Sequence, residues 1–329
     1  MTRAARPWFW PLVPAYQLAL ALRELQLRMG LKPVRRLRRP VVSVGNLSAG
    51  GAGKTPLVIA LAKALTARGV EVDVLSRGYG RRRSTLPVLV DSRGTADEFG
   101  DEPLVIAREA QVPVYVAAER YEAGLMAEAA SRQAGVHLLD DGFQHRQLHR
   151  DLDILLLSRE DLNDHLLPAG NLREALHAAE RASIIAIPAD EPEVAELMQA
   201  RGWKGTVWRV RRRMDVPQVA GPAVAFCGIA RPEQFFEGLE SAGLDRAGWR
   251  LAARFAFPDH HSYTTDDLER IASAAQKAGA AALLTTAKDR VRLGAMAASL
   301  PIQTVPLWVE IENESAAIEW LIRSLRDSA

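Results

Sequence analysis

A glycine-rich turn set between a strand pattern and a helix start constrains this chain more than any other stretch. Val41 to Pro56 reads VVSVGNLSAGGAGKTP. Val41 to Val44 is a short apolar run of the kind that forms a buried strand, and Pro56 to Thr66 carries the period of a helix. Between them Gly50, Gly51 and Gly53, with Ser48 and Ala52, form a loop whose backbone N–H groups can approach phosphate oxygens. The N-terminus of the following helix adds its positive end to that cradle. In this pattern Lys54 reaches the β- and γ-phosphates and Thr55 ligates Mg²⁺. Ser48 stands where the usual first glycine of the motif would be. The spacing points to nucleotide binding.

Carboxylates recur where such a loop needs them. HLLDDGFQHR, His137 to Arg146, ends an apolar strand in Asp140 and Asp141, the place of an acid that holds Mg²⁺ directly or through water. Adjacent strand residues face opposite sides, so both can serve only if the strand ends at Asp140. A solvated Asp-Asp-Gly turn is the plainer alternative. DEFGDEP, Asp97 to Pro103, precedes an apolar helix. Asp101 is expected there as an N-cap, with Glu102 and Pro103 in the first turn. It is also placed to accept the proton of a sugar hydroxyl during phosphoryl transfer. A guanine-reading NKxD string is absent; the nearest is Ala287-Lys288-Asp289. FPDHHSY, Phe257 to Tyr263, holds two adjacent histidines, which rarely chelate one metal on a regular element. One of them, brought across a cleft, would hydrogen-bond a catalytic carboxylate.

Alternating strand and helix patterns after Pro40 imply an α/β fold, a P-loop NTPase-like parallel sheet domain covered by helices. The strands expected are 41–44, 70–75, 135–139 and 154–157. At 329 residues the chain is long enough for two domains at about 150 residues each. The division read from the sequence is an N-terminal segment over 1–39, a nucleotide domain over 40–205 and a linker over 206–220. A second, smaller α/β domain follows over 221–329, with strands at 223–227, 281–285 and 304–308 and a helix after Pro232. The single Cys227 excludes an internal disulfide.

Net charge is only +2, but residues 1–40 carry nine basic side chains, Arg3 among them, against Glu24, so this stretch is +8 and the rest −6. Trp8, Phe9 and Trp10 precede an amphipathic helix on which Leu18, Leu22, Leu25 and Met29 share one side and Gln17, Glu24 and Arg28 the other; Leu20 and Leu27 fall off the stripe. An aromatic cluster, an apolar stripe and a basic run together describe a segment that lies in a membrane headgroup layer. The stretch from Trp8 to Leu22 is too short and too interrupted by proline to cross a bilayer. The alternative is a terminal helix packed on the core.

These strings resemble the tetraacyldisaccharide 4'-kinases of lipid A biosynthesis. The likeness runs through VGNLSAGGAGKTP, SRGYG (76–80), GDEP (100–103), DDGFQHR (140–146), LLPAGNLRE (166–174), CGIARPEQF (227–235), FPDHHSY and TTAKDRVRL (285–293). The resemblance implies transfer of a phosphoryl group from ATP, with Mg²⁺, to the 4'-hydroxyl of an acylated glucosamine disaccharide 1-phosphate at the cytoplasmic face of the bacterial inner membrane. It further implies Asp101 as base with His260, rather than His261, as its partner. Lys54 and Thr55 fall on ATP–Mg²⁺, Glu102, Asp140 and Asp141 beside the metal, and Asn46, Arg120, Gln144, His145 and Arg173 near the phosphate or sugar. Neither nucleic acid nor a protein partner is expected. A P-loop ATPase or GTPase switch that binds a protein through the basic N-terminus is the competing class. A nucleic-acid-binding protein is a third reading, resting on basic runs such as Arg211 to Arg213, and such runs are commonly solvated faces.

Overall fold

The computed structural model describes residues 6–81, 86–219, 221–243 and 249–327. Arg3 of the basic N-terminus lies outside them. Two parallel sheets dominate. Their strands in chain order are β1 (Val41–Asn46), β2 (Glu71–Ser76), β3 (Val88–Leu89), β4 (Val114–Val116), β5 (Gly135–Asp140), β6 (Leu152–Leu156), β7 (Ile184–Pro188) and β8 (Thr206–Met214). There follow β9 (Pro222–Cys227), β10 (Arg250–Ala256), β11 (Ala282–Thr286), β12 (Ile302–Val305) and β13 (Leu307–Ile311).

The large sheet has the order β13-β8-β7-β6-β1-β5-β2-β4-β3. Every neighbouring pair is parallel except the two edges, where β13 runs against β8 and β3 against β4. β1 lies between β5 and β6, at the point where the chain stops building toward one edge and turns to the other. Loops at the carboxyl ends of strands beside such a switch open into a crevice, and the glycine-rich loop follows β1 there. All six residues of β1 are buried, as expected of a central strand covered on both faces. One face packs under the helices Lys54–Thr66, Asp101–Ala110 and Glu314–Asp327 through Leu57, Leu61, Leu104, Ile318 and Leu321. The second sheet, β10-β9-β11-β12, is wholly parallel and carries its own two apolar layers.

The expected linker at 206–220 needs correction. Thr206–Met214 is a nine-residue strand of the large sheet, paired with β7 on one side and β13 on the other. The single strand expected at 304–308 is two, because Pro306 interrupts the ladder between β12 of the small sheet and β13 of the large one. The chain therefore leaves the large unit along β8 and returns along β13, and the helix Glu314–Asp327 buries Ile318, Leu321 and Leu325 against the large unit's core. The basic run on β8 is matched internally: Arg211 pairs with Glu312 at 2.7 Å and Arg213 with Glu310 at 2.7 Å.

The N-terminal helix is Val13–Arg28, and it is inverted relative to a core helix. Its half-buried side chains, Tyr16, Leu20, Arg23, Glu24 and Leu27, recur at helical spacing and face the large unit. The contacts are largely polar: Tyr16 Oη donates to the Arg173 carbonyl at 2.9 Å, Arg23 donates to the Gln144 carbonyl, and Arg146 pairs with Glu24. Leu20 and Leu27, off the stripe in sequence, belong to this inner face. The stripe itself points outward, with Leu18, Leu22, Leu25 and Met29 each more than half exposed and Trp8 91% exposed. No helix among the described residues is long and apolar enough to cross a membrane.

Candidate active site

The glycine-rich loop ends at Gly53, whose φ of +91° only glycine adopts without strain. A Cβ there would also come within 3.2 Å of the Arg212 guanidinium. Lys54 opens the helix and is folded back into the loop, its Nζ donating to Asn46 Oδ1 at 3.0 Å and lying 3.6 Å from Asp141. Asn46 ends β1, and its amide donates to the Ser48 carbonyl at 2.7 Å and to Ser48 Oγ at 3.1 Å. A small hydroxyl residue at position 48 thereby ties the loop to the strand that precedes it.

β5 ends at Asp140, and Asp141 turns out of the strand with φ +50°. That break brings both carboxylates to the same cleft, as the Asp-Asp-Gly string required. They differ sharply in surroundings. Asp141 is held by Arg173 at 2.9 Å and by Lys54; burial opposes its charge, but these cations keep it ionised below the usual range. Among the described residues Asp140 accepts only from Ser76 Oγ, at 3.2 Å, and its buried Oδ1 has no partner. Burial, with Glu102 and Asp141 nearby, pushes its carboxyl well above the usual range.

Of the residues expected near the phosphate or sugar, Arg173 donates to Asp141 and to Gln144 Oε1 at 3.1 Å, and Gln144 Nε2 donates to the Asn46 carbonyl at 2.9 Å. Asn46, Gln144 and Arg173 thus form one network with Lys54. Arg120 begins the helix Arg120–Ala130, is buried, and leaves Nε unpaired while Nη1 donates to the Ala118 carbonyl. Burial, then the charge of Arg77, lowers its pKa to about 10. His145 is depressed to about 3 by burial and then by Arg120 and Arg150, so it is neutral at physiological pH. All five line one cavity with the loop, or support its lining.

The other wall is built around Asp101. Gly100, with φ +89°, occupies the N-cap position, and Asp101 is the first helical residue rather than the cap expected. A glycine is required because a Cβ would sit 2.8 Å from the Tyr79 carbonyl. Asp101 Oδ1 accepts the Glu102 N–H at 2.9 Å. Its Oδ2 receives His260 Nδ1 at 3.1 Å and Arg292 Nε at 2.9 Å, with Arg292 Nη2 also bonded to it. Burial disfavours the charge, yet the hydrogen bond from His260 and the charges of Arg292 and Lys288 hold this carboxyl far below its ordinary value. The same hydrogen bond raises the pKa of His260. His261 faces away, bonded to Asp267 at 2.9 Å and stacked on Phe257.

Arg292, Lys288 and Asp289, noted in the sequence within the TTAKDRVRL string, received no site role there. They lie on the helix Ala287–Leu293 of the smaller unit. Asp289 is fully buried and accepts from the Gly228 N–H, Tyr263 Oη and Arg292 Nη1. The Ala-Lys-Asp string therefore holds the unit together and reads no base. Lys288 Nζ bonds Glu102 Oε1 at 2.5 Å. Their spacing, four apart on a helix, shows that Lys288 and Arg292 share a face, but nothing local names their partners. Arg212, read as part of a solvated run, is exposed as expected, and its guanidinium also reaches the glycine loop, with Nη2 on the Gly51 carbonyl at 3.2 Å and Nη1 on Gln234.

Among the described residues no three His, Cys, Asp or Glu side chains converge to hold a metal by themselves. That suits Mg²⁺, which is commonly held by one or two carboxylates together with phosphate oxygens and water. The Asp140 oxygen without a partner among the described residues is one such donor; Glu102, paired with Lys288, and Asp141, paired with Arg173, face the same cavity.

A parallel sheet with a glycine loop and Lys-Thr at its switch point, facing a carboxylate braced from a second unit, defines a P-loop phosphotransferase. The tetraacyldisaccharide-1-P 4'-kinase family model matches residues 5–326. A tetraacyldisaccharide 4'-kinase of Koribacter versatilis is 40% identical over 325 residues, covering 95% of this chain and 97% of that protein. One from Geobacter metallireducens is 39% identical over 304 residues, 87% and 88% of the two chains. Among solved structures, Aquifex aeolicus LpxK in complex with ATP superposes with a TM-score of 0.74 at 30% identity, covering 97% of this chain and 99% of that one. The chain belongs to the tetraacyldisaccharide-1-P 4'-kinase family, and it is a kinase.

Proposed function

We propose that this chain transfers the γ-phosphoryl group of ATP, with Mg²⁺, to the 4'-hydroxyl of a tetraacylated glucosamine disaccharide 1-phosphate at the cytoplasmic surface of the inner membrane. The observation that carries this reading is the meeting of Asp101, buried in the P-loop unit, with His260 of the smaller unit, which lines the same cleft as Lys54. The structural relative crystallised with ATP supports the choice of nucleotide.

The glycine loop and Lys54 would cradle the phosphates, with Thr55 and Asp140 placed to hold Mg²⁺. The metal would supply positive charge to the phosphate oxygens. Asp101 would accept the sugar proton as the hydroxyl oxygen bonds to phosphorus, while the bond to the departing ADP oxygen breaks and its electron pair leaves with ADP. An acid held far below its usual pKa is a weak base. That is tolerable, because a loose transition state asks for proton removal only late. His260 and Arg292 fix the orientation of Asp101. Asn46, Gln144 and Arg173 hold Lys54 and Asp141 in register.

A four-chain lipid cannot leave the bilayer cheaply, at about 0.8 kcal/mol per buried CH₂, so the enzyme must approach it. The outward stripe of the N-terminal helix, with Trp8 and Phe9, is the surface for that approach, and its inner face touches the backbone of Gln144 and Arg173. Incubation with γ-labelled ATP and the lipid disaccharide tests the reading. Label is expected in the sugar lipid. Hydrolysis stimulated by a protein, with no labelled lipid, would favour a switch instead.

A further inference from the structure

The helix Ala287–Leu293 presents two cations to the first turn of the helix Asp101–Ala110, and their surroundings differ. Arg292 is 6% exposed at its side chain, with Nε and Nη2 on Asp101 and Nη1 on Asp289 and the Gly228 carbonyl. Its planar fork is fully used, so it is a fixed brace. Lys288 makes one ion pair, with Glu102; about a quarter of each side chain is exposed, and both line the cavity that holds Lys54, Thr55 and Asp140. An ammonium on a four-carbon stem can leave one acceptor for another without breaking a planar array.

We propose that Lys288 is a catalytic cation that the smaller unit delivers to the transferring phosphoryl group, and that its pair with Glu102 is the position in which it waits. The inference rests on the phosphotransfer reading above. Charge in phosphoryl transfer spreads over three equatorial oxygens. Lys54 approaches from the P-loop, inside the large unit. Lys288 stands on the facing wall, so the two can flank those oxygens. Glu102 can help hold a divalent cation, and its carboxylate then no longer needs the ammonium, leaving Lys288 free to swing into the cleft; Lys288 keeps its protons throughout, and no covalent bond to it forms or breaks. Because Lys288 belongs to the smaller unit, its charge is available only where the two units meet, which ties phosphoryl transfer to a closed cleft.

The test uses the full chain and needs no lipid for its binding arms. In Lys288→Met, Mn²⁺ affinity in the presence of ADP, read by electron paramagnetic resonance, is expected to tighten about two- to fivefold, the worth of a partly exposed ion pair. Affinity for β,γ-methylene-ATP, which carries the γ-phosphoryl group, is expected to fall relative to ADP. The rate of lipid phosphorylation is expected to fall about 10²-fold, as when one charge-stabilising donor is removed, and Lys288→Arg should recover part of it. If Lys288→Met loses its cooperative thermal transition, Lys288→Gln carries the same comparison. The proposal is overturned if Mn²⁺–ADP binding is unchanged or weaker, or if ADP and the methylene analogue weaken together, the behaviour of a purely structural clamp. Failure of the phosphotransfer reading looks different: the unsubstituted chain itself would place no label in lipid.

Discussion

The two walls of the cleft are built in different ways. The phosphate wall is assembled from residues next to one another in sequence or on adjoining strands. Asn46, Ser48 and Lys54 come from one run, the end of β1, its loop and the start of the helix, and Asp141, Gln144 and Arg173 come from the connections after β5 and β6, the neighbours of β1. The opposite wall is assembled from afar: Asp101 is braced by His260 and Arg292, 159 and 191 residues away. A wall built within one sheet edge is formed whenever that sheet is folded. A wall shared by two units exists only when they come together, so nucleotide binding and proton handling should respond to mutation separately.

The largest separation is expected at Lys54. Replacing it with alanine removes the central cation of the local wall, and lipid phosphorylation should fall by roughly 10²-fold or more. Near-normal turnover measured with labelled ATP would remove the P-loop from the mechanism. The Asp101 side should remain folded in this variant, because none of its contacts includes Lys54.

A smaller, all-or-none change of location is expected at the N-terminal helix. Deleting residues 1–30 would also strip Tyr16 and Arg23 from the backbone of Arg173 and Gln144. The sharper variant therefore changes only the outer face, with Leu18, Leu22 and Leu25 all replaced by serine. Flotation with anionic vesicles should drop, while ATP binding stays near that of the parent. A variant that floats as well as the parent would assign the membrane to another surface.

The smallest effect concerns stability and its pH dependence. Asp101 has a depressed folded pKa, so its contribution is complete above the unfolded value of about 3.9 and is lost as pH falls toward the folded value. Asp101→Asn should therefore be less stable than the parent at pH 7, by about 1–2 kcal/mol, because Arg292 keeps Asp289 and the Gly228 carbonyl as partners. The deficit should shrink as pH falls below about 4. A deficit in urea unfolding that holds constant down to pH 3 would mean that the Asp101–Arg292 pair does not carry it.

The same contrast explains what was legible in the sequence. The glycine loop and the end of β5 at Asp140 were readable because short strings fix local geometry: Asp141 leaves the strand one residue later, as the adjacent carboxylates demanded. The preference for His260 over His261 rested instead on the family resemblance, since two adjacent histidines look alike locally. The brace of Arg292 and Asp289 was not, since a helix periodicity says which residues share a face and not what that face meets. Thr206–Met214 is strand-like in sequence, but it was assigned to the linker because its partner β13 lies about a hundred residues on, past Pro306. The N-cap expectation for Asp101 failed by one position, where Gly100 takes a φ that only glycine tolerates. Leu20 and Leu27 blurred the amphipathic stripe because the helix has two faces in use, a mixed inner one and an apolar outer one.

The central claim is that Asp101 and His260 act as one unit across the two walls, and a double-mutant cycle on kcat tests it most directly. Asp101→Ala and His260→Ala should each lower kcat strongly with ATP affinity largely intact, and the double variant should lose far less than the product of the two losses. The cycle of Asp101 with His261, which bonds Asp267 instead, should show little coupling. Fully multiplicative losses for Asp101 and His260 would show that they act independently and would contradict the shared wall.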